Sequence, residues 1–105
     1  MTFRRKAKAD KNQPDIVAKF RRLGYSVHHT HQLKNFVDII ISKDFNGLER
    51  TAVVEIKDGS LPPSARKLTE GEKAFKQSWQ GLYFICQSLE DVDIIDQEIK
   101  KRSAL

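Results

Sequence analysis

Two runs rich in β-branched residues, Phe36-Val37-Asp38-Ile39-Ile40-Ile41 and Ala52-Val53-Val54-Glu55-Ile56-Lys57, stand on either side of an Asn46-Gly47 dipeptide. Such runs favour strands, and Asn-Gly is the dipeptide best suited to the centre of a two-residue type I′ turn, so this region is constrained to an antiparallel hairpin. With that turn centre, opposed residues have numbers summing to 93, which places Asp38 opposite Glu55 and Phe36 opposite Lys57. Opposed Cβ atoms lie about 4.5–5.5 Å apart, within reach of one bridging ion. Alternation puts Val53, Glu55 and Lys57 on one face and Ala52, Val54 and Ile56 on the other. The same register sets Asp44 against Glu49 and Lys43 against Arg50, two like-charge pairs, and predicts that the ladder frays there into a longer loop. A slip of one residue would send the two carboxylates to opposite faces.

An unpaired charge inside a packed sheet costs on the order of several kcal/mol, so Asp38, Glu55 and Lys57 need partners: a metal ion, one another, or a substrate. A structural ion pair between strands is the plain alternative. Two carboxylates and a lysine on one sheet surface suggest a divalent cation and a phosphate. Hard oxygen donors suit Mg²⁺ or Mn²⁺, and Lys57, two residues beyond Glu55, projects to the same side as a fixed cation.

A chain of 105 residues is one domain by size, and its formal charge of +5 points to a polyanionic partner. The excess lies at the start. Between Met1 and Arg22 eight basic residues face only Asp10 and Asp15, whereas Leu89 to Asp96 is acidic. Residues 1–11 are expected to form a basic, flexible segment, with a single domain over 12–105. Arg4, Arg5, Lys6 and Lys11 are the candidate phosphate contacts in that segment, joined by Arg66 and Lys67 farther along. Cys86 is the only cysteine, which excludes an intramolecular disulfide and a cysteine-rich zinc site. There is no signal-peptide pattern and no apolar run of membrane-spanning length, so an intracellular protein with no membrane partner is expected.

Pro14, the spacing of Ile16, Val17, Phe20 and Leu23, and Gly24 as a stop predict a helix over residues 13–23. Tyr25 to Thr30 alternate as a strand, with Tyr25, Val27 and His29 on one face. The hairpin strands follow, around 36–42 and 51–57. Residues 58–67 read as a loop, and Thr69-Glu70-Gly71-Glu72 as a capping box opening a helix to Gln80, with Phe75 and Trp79 assigned to the core. Leu82 to Cys86 is a buried strand. Ser88 caps a last helix with Leu89, Val92, Ile95 and Ile99 on one stripe. The order is α-β-β-β-α-β-α, an α/β fold with a central mixed four-stranded sheet flanked by helices.

Asn12-Gln13-Pro14-Asp15-Ile16-Val17, Val37-Asp38-Ile39-Ile40-Ile41, Val53-Val54-Glu55-Ile56-Lys57-Asp58-Gly59 and Ser64-Ala65-Arg66-Lys67-Leu68-Thr69 together resemble the PD-(D/E)XK nuclease superfamily. Within it they are most similar to small phage and prophage nucleases related to virus-type replication-repair nuclease domains and to Holliday junction resolvases. The resemblance covers most of residues 10–90 and implies a restriction-endonuclease-like fold and metal-dependent DNA endonuclease activity, directed at branched DNA. It implies a cytoplasmic setting in a bacterial cell or phage-infected host, and a homodimer, since a four-way junction has two strands to cut. By the same resemblance Asp38, Glu55 and the Ile56 carbonyl would hold Mg²⁺ or Mn²⁺, Lys57 would orient or activate water, and Asp15 would support the metal site. The chain departs from the pattern at Val37, where proline is frequent, at Asp15, where glutamate is usual, and at Glu72, where glutamine is often found. Asp15 is also explained by the helix dipole alone, and Glu72 by its capping box. Gln13 and His31 are further accessory candidates, although His28, His29 and His31 alternate on a strand and form no compact triad.

Overall fold

In the computed structural model, residues 10–104 are described, so the expected contacts at Arg4, Arg5 and Lys6 lie outside the described residues. The elements are α1 (Gln13–Arg22), β1 (Ser26–His29), β2 (Ile39–Phe45), β3 (Leu48–Ile56), a 3₁₀ turn (Pro63–Arg66), α2 (Glu70–Ser78), β4 (Leu82–Cys86) and α3 (Leu89–Ser103). The described residues form an α/β fold, with a four-stranded mixed sheet in the order β1-β2-β3-β4 and three α-helices. β1, β2 and β3 pair antiparallel, and β4 joins β3 in parallel. Among the described residues no helix is long and apolar enough to cross a membrane.

The hairpin has the register that the turn dictates. Ile39 pairs with Val54 and Phe45 with Leu48, and Asn46 and Gly47 take φ of 57° and 93°. Asp44 Oδ1 accepts from the Gly47 N–H at 2.6 Å, which closes the turn. The expected fraying does not occur: Lys43 pairs with Arg50 and Asp44 with Glu49. The reason lies in the helices beneath. Lys43 bends away to the Leu23 carbonyl just after α1 (2.6 Å), while Arg50 reaches the Arg102 carbonyl and Ser103 Oγ near the end of α3. Each cation meets the negative end of a different helix, so the two charges diverge.

No atom surrounds a Cβ placed on Gly47, so only the backbone resists a side chain there. Gly47→Ala is therefore expected to cost about 1–2 kcal/mol, read as a lowered Tm with an unchanged circular dichroism spectrum.

Val27, Ile39, Ile41, Ala52, Val54, Ile56 and Cys86 face α1 and α3, where Ile16, Val17, Phe20, Val92, Ile95 and Ile99 complete the core. Leu89, expected on that stripe, is instead 44% exposed, because Ser88 starts the helix at the sheet's rim. Asp96 takes an inward place on α3, where it accepts from the Tyr25 hydroxyl at 2.8 Å and pairs with Lys100 at 3.4 Å.

The opposite face carries Ile40, Val53, Glu55 and Tyr83, with α2 beside it. None of the residues of α2 is buried. Phe75 is only half-buried and Trp79 is 38% exposed, which corrects their assignment to the core. α2 ends at Ser78, short of the expected Gln80, since Trp79 turns extended and its indole N–H donates to the Leu82 carbonyl at 3.1 Å. At its other end the helix approaches the 30–36 loop so closely that a Cβ on Gly71 would collide with the Asn35 amide.

Candidate functional site

The carboxylates sit where the hairpin ladder ends. Beyond the Ile39–Val54 pair the main chain shifts: the Asp38 N–H donates to the Val54 carbonyl at 3.2 Å, and its carbonyl accepts from Thr30 of the β1 side at 2.8 Å. The Ile56 N–H, left without a main-chain partner on β2, is taken by Asp38 Oδ2 at 2.7 Å. Because N–H and C=O of an extended residue point to the same side, the Ile56 carbonyl also faces Asp38. Glu55 is 3% exposed and lies beside Asp38, but the shift leaves the two outside the paired ladder rather than directly opposed as the turn register predicts.

Glu55 lies beside the carboxyl groups of both Asp38 and Glu72, and their charges act on it. Burial, followed by the charges of Asp38 and Glu72, pushes the Glu55 carboxyl up to about 9, so this cluster retains a proton at neutral pH. Burial also raises Asp38, only partly offset by the Ile56 N–H. Lys57 Nζ is 2.9 Å from Glu72 Oε1 and 3.6 Å from Glu55 Oε2. Burial would lower its ammonium, but Glu72, Glu55 and Asp10 outweigh it and hold Lys57 above its ordinary value. Glu72 does both of the things left open for it. Its Oε1 accepts from the Thr69 N–H at 2.9 Å to complete the capping box, and the same oxygen receives Lys57.

The carboxylate that reaches this cluster from the start of the chain is Asp10. Its charge acts on Asp38 and Lys57, and burial raises its own carboxyl. Asp15 is exposed on the first turn of α1, where the dipole accounts for it. Asp10 falls within the basic segment expected from the sequence, and its position just before the Asn12-Gln13-Pro14 helix start is the one local signal for its role. Asn12 latches the site from behind, its amide donating to the carbonyls of Lys57 (3.1 Å) and Gln87 (3.3 Å).

The other candidates are distributed around this centre. Gln13 is buried, and its amide N–H₂ lies 3.3 Å from His29 Nδ1. His31 packs edge-on to His29, with ring centroids 6.0 Å apart. Arg66 is held by the Leu61 carbonyl (2.8 Å) and Gln87 Oε1 (2.6 Å), both neutral acceptors. Lys67 and Lys11 are exposed.

Among the described residues, no group of three or more His, Cys, Asp or Glu side chains is arranged to hold a metal ion. The donor set nevertheless fits Mg²⁺ or Mn²⁺. Mg²⁺ is ordinarily held by one or two carboxylates together with waters and substrate phosphates, and Asp38, Glu55 and the Ile56 carbonyl supply hard oxygens on one side of β3. Asp10, Asp38, Glu55 and Glu72 act on one another beside Lys57, a negative excess that raises the Glu55 carboxyl and that a divalent cation would offset. Comparison with protein-family models, with curated proteins and with solved structures returns no match to this chain.

Proposed function

We propose that this protein is a metal-dependent endonuclease that hydrolyses DNA phosphodiester bonds on a restriction-endonuclease-like fold, acts on branched DNA and works as a homodimer. One observation carries the reading: Asp38 and the buried Glu55 meet at the end of the hairpin, with Lys57 two residues beyond on the open side of the sheet. A bound Mg²⁺ would polarise the phosphate and lower the pKa of water. Asp38, Glu55 and the Ile56 carbonyl would hold it. Lys57, kept charged by its carboxylate neighbours, serves as a cation toward a non-bridging phosphate oxygen rather than as a base. Arg66, pre-set by Gln87 and Leu61, and the exposed Lys67 and Lys11 hold the backbone on either side.

The test is a cleavage panel of four-way junction, flap, duplex and single strand with Mg²⁺ and with Mn²⁺. Asp38→Asn and Lys57→Ala are expected to lower nicking by at least about 10²-fold with the fold intact by circular dichroism. Undiminished cutting by purified Asp38→Asn would sink the assignment.

The 2.9 Å contact between Lys57 and Glu72 favours a second reading, a nucleic-acid-binding module whose carboxylate and lysine cluster is structural. It entails salt-sensitive DNA binding indifferent to Mg²⁺. Calorimetric titration with Mn²⁺ separates the two, since only the nuclease requires uptake that Asp38→Asn removes.

A further inference from the structure

The open face of the sheet carries an aromatic step beside the carboxylates. Phe75 meets Phe36 edge-on at 5.0 Å between centroids, stacks on Trp79 at 5.2 Å with planes 27° apart, and lies 6.3 Å from Tyr83. Phe75 lies one helical turn beyond Glu72, so the two share a face of α2. Phe36 is two residues from Asp38, and the phenol of Tyr83 lies in the field of Glu55, Glu72 and Asp38. The step is therefore continuous with the candidate site. It is also preformed, because the Trp79 indole is tied to the Leu82 carbonyl, and incompletely covered, because α2 buries none of its residues.

A partly exposed aromatic cluster on a small domain is a candidate contact surface. The charges around it select the kind of partner. Lys76, exposed on α2, holds its ammonium 5.7 Å from the Tyr83 ring centre, and Lys67 and Arg66 stand just before the helix. Protein interfaces are depleted in lysine, whereas surfaces for single-stranded nucleic acid interleave cations with aromatic faces on which any base stacks. With a rise of about 1.5 Å per residue, the nine residues of α2 place roughly 13 Å between the basic residues that precede it and Trp79 just after it, room for more than one nucleotide.

We propose that Phe36, Phe75, Trp79 and Tyr83 form a stacking platform for unpaired bases, so that the strand delivered to Glu55 and Lys57 is single-stranded next to the bond to be cut. The binding half stands on the aromatic and charge geometry alone; the delivery half rests on the nuclease reading above. Trp79 is the only tryptophan in the chain, so its fluorescence reports on this platform and nothing else.

The experiment titrates the full-length protein, in EDTA, with a twelve-nucleotide oligo(dT) and with a blunt duplex of equal length. Oligo(dT) is expected to quench Trp79 saturably and to bind more tightly than the duplex. By anisotropy of labelled oligo(dT), Trp79→Ala is expected to lose about 10-fold or more in affinity, while Trp79→Phe keeps most of it. Equal affinity for duplex, or unchanged oligo(dT) binding by a folded Trp79→Ala, overturns the platform. So does Trp79 emission that ignores DNA but shifts with protein concentration as a dimer forms in sedimentation, which would assign the face to a second copy of the chain. Because no metal is present, quenching without any cleavage in Mg²⁺ would refute only the nuclease reading. Duplex cleavage with a silent Trp79 would refute only the platform.

Discussion

Glu55→Gln is expected to abolish metal-dependent cleavage and, at the same time, to stabilise the fold at pH 8. The opposing signs follow from one cause. The Glu55 carboxyl is raised from 4.5 to about 9 by burial and by Asp38 and Glu72, so between those values the folded state holds a proton that the unfolded chain has released. Its contribution to stability is fully present below pH 4.5 and is lost progressively as pH rises toward 9. Glutamine does not titrate, so the variant's stability should be flat across this window where the native protein's declines. At pH 8 the difference is expected to favour the variant by at least about 1.4 kcal/mol, which is about 4–8 °C in Tm. Melting curves from pH 5 to 9 measure this, and adding Mg²⁺ extends the test. A cation held by Glu55 should raise the Tm of the native protein at pH 8 and leave the variant unmoved. A variant that is less stable than the native protein at pH 8 would mean that Glu55 is ionised and fully paired, chiefly with Lys57.

Phe20→Ala is expected to cost about 3–5 kcal/mol, a large share of the roughly 5–15 kcal/mol available to a domain of this size. Phe20 is 0% exposed and packs edge-on to Tyr25 at 5.5 Å, at the junction of α1 with the sheet. Few neighbours can close the void, since Ile16, Ile39 and Ile41 are themselves fully buried. The consequence reaches the site through Asn12, which precedes α1 and holds the carbonyls of Lys57 and Gln87. Urea denaturation should show a lowered midpoint with an unchanged slope, and loss of cleavage should track the unfolded fraction. A midpoint within experimental error of the native protein would contradict the assigned core.

Local signals carried most of the architecture. Asn46-Gly47 set the hairpin register, alternation sorted Glu55 from Val54 and Ile56, and the capping box at Thr69 and the cap at Ser88 marked two helix starts correctly. Each of these is a short-range preference, and each was visible in a window of a few residues. Three particulars were not. The ladder at Lys43 and Arg50 persists because two helix ends, remote in sequence, receive the two cations. Asp10 joins the cluster because α1 packs so as to bring the chain before it alongside Lys57, which no window around Asp10 reveals. Phe75 and Trp79 have the spacing of a buried stripe yet stay partly exposed, since spacing states which residues share a helix face but not whether anything covers that face.

The sequence by itself determined that Asp38 and Glu55 stand on one face of a hairpin with Lys57 beyond, because a two-residue turn and a period of two leave a single register. Only the tertiary structure decided the state of those groups. The depth of Glu55, the grip of Glu72 on Lys57 and the approach of Asp10 all arise from how α1 and α2 pack against the end of the sheet. Charge, proton and partner respond to burial and distance, and those are properties of the assembled fold.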